Sequence, residues 1–240
     1  SDMFGLHLDT NYPGGSGGGT PTDSQIFLGA GTGVSLPETV AHEIGHALVW
    51  RSLDQSVAVI NGTTDYWCYD DGGNSTWRAF SQECDRAAFH EGLADSISAL
   101  WMWFRTADPP GGNPNFLPDS SSGGVPIDLE SAGTCGDGSG PDYRKPFCSA
   151  RAMWDIMDNS PTDGDGITSR DLSDVVGVLR SYQRGCWAPW DNRCANEAGY
   201  DAHGNNWKDF KWNWANAGLG QSSEMNSIES NNGLGGQVDD

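Results

Sequence analysis

Val40-Ala41-His42-Glu43-Ile44-Gly45-His46-Ala47-Leu48 reads as H-E-x-x-H set inside an apolar helical pattern. Residues four apart on an α-helix lie one above the other on one face. His42 and His46 can therefore turn their imidazoles to a single metal ion while Glu43, beside the first of them, reaches its open side. That is the arrangement a hydrolytic zinc site uses. Val40, Ile44, Ala47 and Leu48 supply the apolar positions that bury the helix. Ser35-Leu36-Pro37-Glu38 reads as its start, with a serine cap, an early proline and a glutamate three residues after the serine, as in a capping box.

A catalytic zinc takes three protein ligands and leaves a fourth position for water, so a third ligand is needed. The metzincin continuation would place a histidine at position 52, where Ser52 stands, and that pattern is excluded. Phe89-His90-Glu91-Gly92-Leu93-Ala94-Asp95 lies in a second strongly helical segment whose apolar residues, among them Ala88, Leu93, Ile97 and Leu100, would pack it against the first. Glu91 and Asp95 are four apart and share a face. This helix is predicted from about Asp85 to about Arg105, and Asp108-Pro109-Pro110-Gly111-Gly112 ends it.

H-E-I-G-H followed by H-E-G-L-A-D resembles the gluzincin metallopeptidases, the thermolysin-like and fungalysin-like group, over roughly residues 34 to 160. The resemblance implies an α+β, mainly α-helical, zincin-like catalytic domain with a short β element at the cleft edge. It makes Glu91 the third zinc ligand and Asp95 the partner of His42, fixing its tautomer and raising its basicity. The interval from His46 to Glu91 is longer than in thermolysin-like enzymes, and His90 stands where asparagine or a small residue is common. Gly62-Thr63-Thr64-Asp65-Tyr66-Trp67-Cys68-Tyr69 is similar to the aspzincin motif, with its tyrosine one residue late; it offers Asp65 as an alternative third ligand. Ala150-Arg151-Ala152-Met153-Trp154-Asp155 is similar to a fungalysin-like helix phrase preceded by a histidine that stabilises the reacting carbonyl oxygen. Counting back eleven residues from Trp154 gives Tyr143, without the intervening signature; His203 is the second candidate for that role.

The charge narrows the partners. Thirteen basic against 33 acidic residues give a formal charge of −20, which argues against nucleic acid or an anionic membrane. No apolar run approaches the length needed to cross a bilayer. Ser1-Asp2-Met3-Phe4 lacks a basic region followed by an apolar one, so the chain is expected to begin after processing or at an artificial boundary. Cys68, Cys84, Cys135, Cys148, Cys186 and Cys194 are even in number and none lies in a C-x-x-C pair, which reads as disulfides in an oxidising compartment. The sequential pairing, Cys68–Cys84, Cys135–Cys148 and Cys186–Cys194, is expected.

Along the chain, residues 1–24 contain Gly14-Gly15-Ser16-Gly17-Gly18-Gly19 and read as a flexible segment. Gln25-Ile26-Phe27-Leu28-Gly29 reads as a strand, at an edge beside the cleft. A single catalytic domain is expected over 25–217, with the zinc-binding helices in 25–105 and a helical C-terminal part in 106–217. Within that part, 106–142 reads as a long loop, and helices are expected at 149–158, 171–182 and 206–217. The polar tail, 218–240, is expected to fray. Asp163-Gly164-Asp165-Gly166-Ile167-Thr168-Ser169-Arg170-Asp171 resembles the calcium loops of dockerins and EF-hands, one residue short. It offers Asp158, Asp163, Asp165 and Asp171 to calcium, or else is a capped, solvated loop leading into a helix. Trp187, Trp190, Trp207, Trp212 and Trp214 are expected to pack the C-terminal helix onto the body; exposed, they could stack on sugar rings.

These features predict a secreted, monomeric zinc endopeptidase acting on protein or peptide substrates, with Zn2+ as cofactor and Ca2+ as a second candidate ion. The alternative from another class is a non-catalytic glycan-binding module with a structural zinc. Such a zinc needs a fourth protein ligand, for which His90 and His203 are the spare histidines.

Overall fold

Pro37 opens the first helix of the zinc motif, α1 (Pro37–Ser52), where a residue without an N–H loses nothing and a fixed φ suits the first turn. The computed structural model of the chain describes residues 7–12, 18–22, 25–29, 37–52, 85–105, 115–118, 126–129, 135, 145–157, 170–181, 206–220 and 222–235. At the far end of α1, Ser52 Oγ donates to Leu48 O at 2.8 Å, taking up one of the last carbonyls of the helix.

α2 spans Asp85–Arg105, the range expected from its pattern. It lies between α1 and α3 (Pro146–Met157) and packs against both. Residues 88–100 are all buried, as a helix enclosed by neighbours must be. Polar groups on it therefore need partners; Ser96 Oγ, for one, donates to Leu93 O at 2.8 Å. α3 too begins on a proline, and every residue of it is buried.

Three strands precede α1: β1 (His7–Tyr12), β2 (Gly18–Thr22) and β3 (Gln25–Gly29). Their order is β1-β3-β2, with β3 parallel to β1 and antiparallel to β2. β3 is thus the central strand, correcting the expectation of an edge. The glycine-rich start, read as a flexible segment, supplies both its neighbours. Local composition marks glycine as a loop former, whereas pairing with β3 is a non-local gain that no short window records. The sheet packs on α1 through β2 and β3, and Ile26 of β3 is buried. In the stretch read as a long loop, β4 (Asn115–Pro118) and β5 (Pro126–Asp128) pair antiparallel.

α4 (Leu172–Ser181) and α5 (Trp207–Asn216) complete the helices expected from the sequence. Asn206 Oδ1 caps α5 by accepting from Asp209 N at 3.0 Å. Trp207, Phe210 and Trp214 turn one face of α5 inward, and Phe210 lies 5.9 Å from Phe89 of α2, ring centre to ring centre. Each such fully buried ring contributes roughly 1.5–3 kcal/mol of apolar burial. Of the five tryptophans in this part, Trp207 and Trp214 are therefore core residues and Trp212 is 53% exposed; Trp187 and Trp190 lie outside the described residues.

The segment from 218, expected to fray, contains a further helix, α6 (Ser222–Asn231). Met225 and Ile228 are its buried pair. Its end is a Schellman turn: Gly233 takes φ 66°, Gly233 N donates to Ser230 O, Leu234 N donates to Glu229 O, and Leu234 is buried. Asn232 Nδ2 donates to Asp155 Oδ2 at 2.7 Å, tying this end to α3. Cys135 and Cys148 are disulfide-bonded, as the sequential pairing predicts, and pin the first turns of α3; the other four cysteines lie outside the described residues. The described part is thus mainly helical, and none of its helices is long and apolar enough to cross a membrane.

Candidate metal centre

Two helices build the site. α1 presents His42 and His46 on one face, and α2 presents Glu91 and Asp95 on the face that meets it. His42 Nδ1 lies 2.7 Å from Asp95 Oδ1. An ionised carboxylate can only accept, so the proton belongs on Nδ1 and the tautomer is assigned from that partner. The Nε2 lone pair of neutral His42 then faces inward. It stands 3.0 Å from His46 Nε2 and 3.2 Å from Glu91 Oε2, while His46 Nε2 is also 3.2 Å from Glu91 Oε2.

Three acceptor atoms converging in this way repel one another unless a proton or a cation lies among them. In a tetrahedral site with bonds of about 2.0–2.1 Å, donor atoms stand about 3.3–3.4 Å apart, so the observed triangle of 3.0, 3.2 and 3.2 Å has the donor type of a zinc site and is slightly smaller than one. His42, His46 and Glu91 are the group able to hold a metal ion among the described residues. They are nearly closed off from solvent, at 9%, 8% and 5% exposure. His90 is buried too, its ring edge-on to Phe89 at 5.8 Å, but it does not belong to the group.

Burial lowers the His42 pKa, yet the Asp95 and Glu91 carboxylates outweigh it and hold the imidazole well above its ordinary value. Burial likewise raises Glu91, and the two histidines overcome it to carry this carboxyl below the usual range. Asp95 moves up, because burial outweighs the attraction of His42. At the Asp95–His42 bond the shift of His42 is the one to build on: a 2.7 Å contact holds one proton between the two atoms, and imidazole is the more basic partner.

Glu43 follows His42 on α1 and is 5% exposed. Asp171, placed in the candidate calcium loop, caps α4: its carboxylate accepts from Ser173 N at 2.8 Å and from Asp174 N at 3.3 Å, and Asp171 N donates back to Asp174 Oδ2. The Ser173 hydroxyl and amide lower its pKa. Asp65, Tyr143, His203, Asp158, Asp163 and Asp165 lie outside the described residues.

Two glycines were not singled out from the sequence. A Cβ on Gly45 would stand 2.9 Å from Ala94 Cα and O of α2, and one on Gly92 would stand 2.4 Å from Pro146 O of α3. The available signal was their position: glycine inside a helix costs about 1 kcal/mol against alanine, which points to close packing as a reason for it. No family model, curated protein or solved structure matches the chain.

Proposed function

We propose that the chain is a zinc-dependent endopeptidase of the gluzincin type, with a zincin-like catalytic domain that works outside the cell on protein or peptide substrates. The observation that carries this is the convergence of His42, His46 and Glu91 from two helices, with Glu43 buried on the same helix as the histidines. These three residues would hold zinc, which when bound supplies a Lewis acid that polarises the scissile carbonyl and lowers the pKa of water. Asp95 keeps His42 Nδ1–H engaged, so the Nε2 lone pair stays aimed at the other two ligands. Glu43, outside that ligand group, accepts the proton of the attacking water and delivers it to the leaving amine.

Among the described residues three protein ligands converge rather than four, which favours a catalytic over a structural metal. Trp207 and Trp214 lie in the core and are not open to stack on a glycan, whereas Trp212 is exposed. The Cys135–Cys148 disulfide is in keeping with an oxidising compartment. Glu43→Gln tests the proposal: the variant should keep its zinc and its fold and lose nearly all hydrolysis of a peptide library. Hydrolysis at the wild-type rate would remove Glu43 as base, and the gluzincin-type mechanism with it.

A further inference from the structure

Gly45 stands three residues after His42 and one before His46, and Ala94 stands three after Glu91 and one before Asp95. The two helices therefore meet at small residues in the same phase of their ligand-bearing faces. We infer that Gly45 is a positioning residue, whose missing side chain lets α1 approach α2 closely enough for His42 and His46 to meet Glu91 and Asp95. This rests on the zinc site proposed above.

A Cβ at Gly45 would lie 2.9 Å from both Ala94 Cα and Ala94 O, whereas ordinary contact begins at 3.4 Å. The obstructing atoms are helix backbone, which cannot turn aside as a side chain can. Nor can α2 retreat, because a Cβ at Gly92 on that helix would stand 2.4 Å from Pro146 O and 2.6 Å from Ala150 N of α3, leaving no room behind it. The displacement falls on α1, and 3.4 less 2.9 makes it about 0.5 Å. Added to the 2.7 Å contact of His42 with Asp95, that reaches 3.2 Å, the long limit of a normal hydrogen bond. The three converging donor atoms would part by a similar amount. The glycine thus sets the distance between two pairs of side chains that it does not itself touch chemically.

The experiment compares wild type, Gly45→Ala and Gly177→Ala. Gly177 is on α4 with nothing within 4 Å of an added Cβ, so its alanine variant is the matched control and should not lower the Tm. Combined with Gly45→Ala, it recovers part of the stability if the single variant folds poorly. Two quantities are read well below the Tm: zinc affinity by competition with a chromophoric chelator, and the His42 Nδ1–H proton resonance of the metal-free protein. Gly45→Ala should weaken zinc by roughly 10–100-fold, as changes behind a ligand do, and should shift or broaden the His42 resonance; Gly177→Ala should change neither. A folded Gly45→Ala protein with wild-type zinc affinity and an unmoved resonance overturns the inference, since a merely structural glycine would lower only the Tm. If wild type itself binds no zinc, the metal site fails, and the resonance alone decides: moved in Gly45→Ala, the positioning stands; unmoved, it falls.

Discussion

At the scale of the residue, the 2.7 Å contact between His42 and Asp95 does the most with the fewest atoms. It chooses the tautomer, and through it the direction of a lone pair. Glu91→Ala removes a donor atom outright and should abolish tight zinc binding, whereas Asp95→Ala leaves all three donors and should weaken it roughly 10–100-fold. Isothermal titration against buffered zinc separates the two; equal losses would mean that Asp95 is itself a ligand. The raised pKa of His42 sets the pH dependence. A group raised on folding stabilises the metal-free protein fully below its unfolded value of about 6.5 and ceases to do so as pH rises through the folded value. Zinc must displace that proton, so its affinity rises over the same interval. The gap in Tm between zinc-loaded and chelated protein should therefore widen from about pH 6.5 upward. A gap that stays constant or narrows there would show that His42 carries no such proton. Spacing made His42, Glu43 and His46 legible, because four residues on a helix fix a face. Glu91 and Asp95 share a face by spacing, and the resemblance to gluzincins is what assigned them to the first helix, with His42 as the partner of Asp95; spacing alone does not, since that meeting is settled by packing 45 or more residues away.

At the scale of the element, the crossings of α2 with its neighbours govern the fold. Alanine is a better helix former than glycine by roughly 1 kcal/mol, so propensity alone predicts that Gly92→Ala stabilises. The contacts predict the opposite: its Cβ would meet Pro146 O at 2.4 Å and Ser149 Cβ at 2.5 Å. Overpacking of this kind costs about 1–3 kcal/mol or more, so chemical denaturation should find the variant less stable; a more stable one would contradict the close α2–α3 crossing. Long periodic helices declared themselves, α2 to the residue at both ends. What stayed hidden was short or non-local. α6 has only Met225 and Ile228 to bury within its ten residues, too few for a periodic signal, and depends on Leu234 and the Asn232–Asp155 bond beyond its end. β1 and β2 exist by pairing with β3, which glycine-rich composition conceals.

At the scale of the whole molecule, α2 is a central post: α1 is seated on one side with the zinc-type donors between them, and α3 on the other, pinned by Cys135–Cys148 and tied to the C-terminal turn through Asp155. A cation at the α1–α2 junction would join two elements far apart in sequence, so occupancy and stability are linked. The formal charge of −20 repels polyanions and carries no information on a substrate. The central claim is that one zinc, held by His42, His46 and Glu91, makes this chain a peptide hydrolase. Its most direct test is to strip the protein with a chelator, titrate zinc back, and follow peptide cleavage at each step. Activity should be absent at the start, rise linearly and level off at one zinc per chain, whereas cleavage that persists without zinc, or that never appears at one equivalent, would contradict the account.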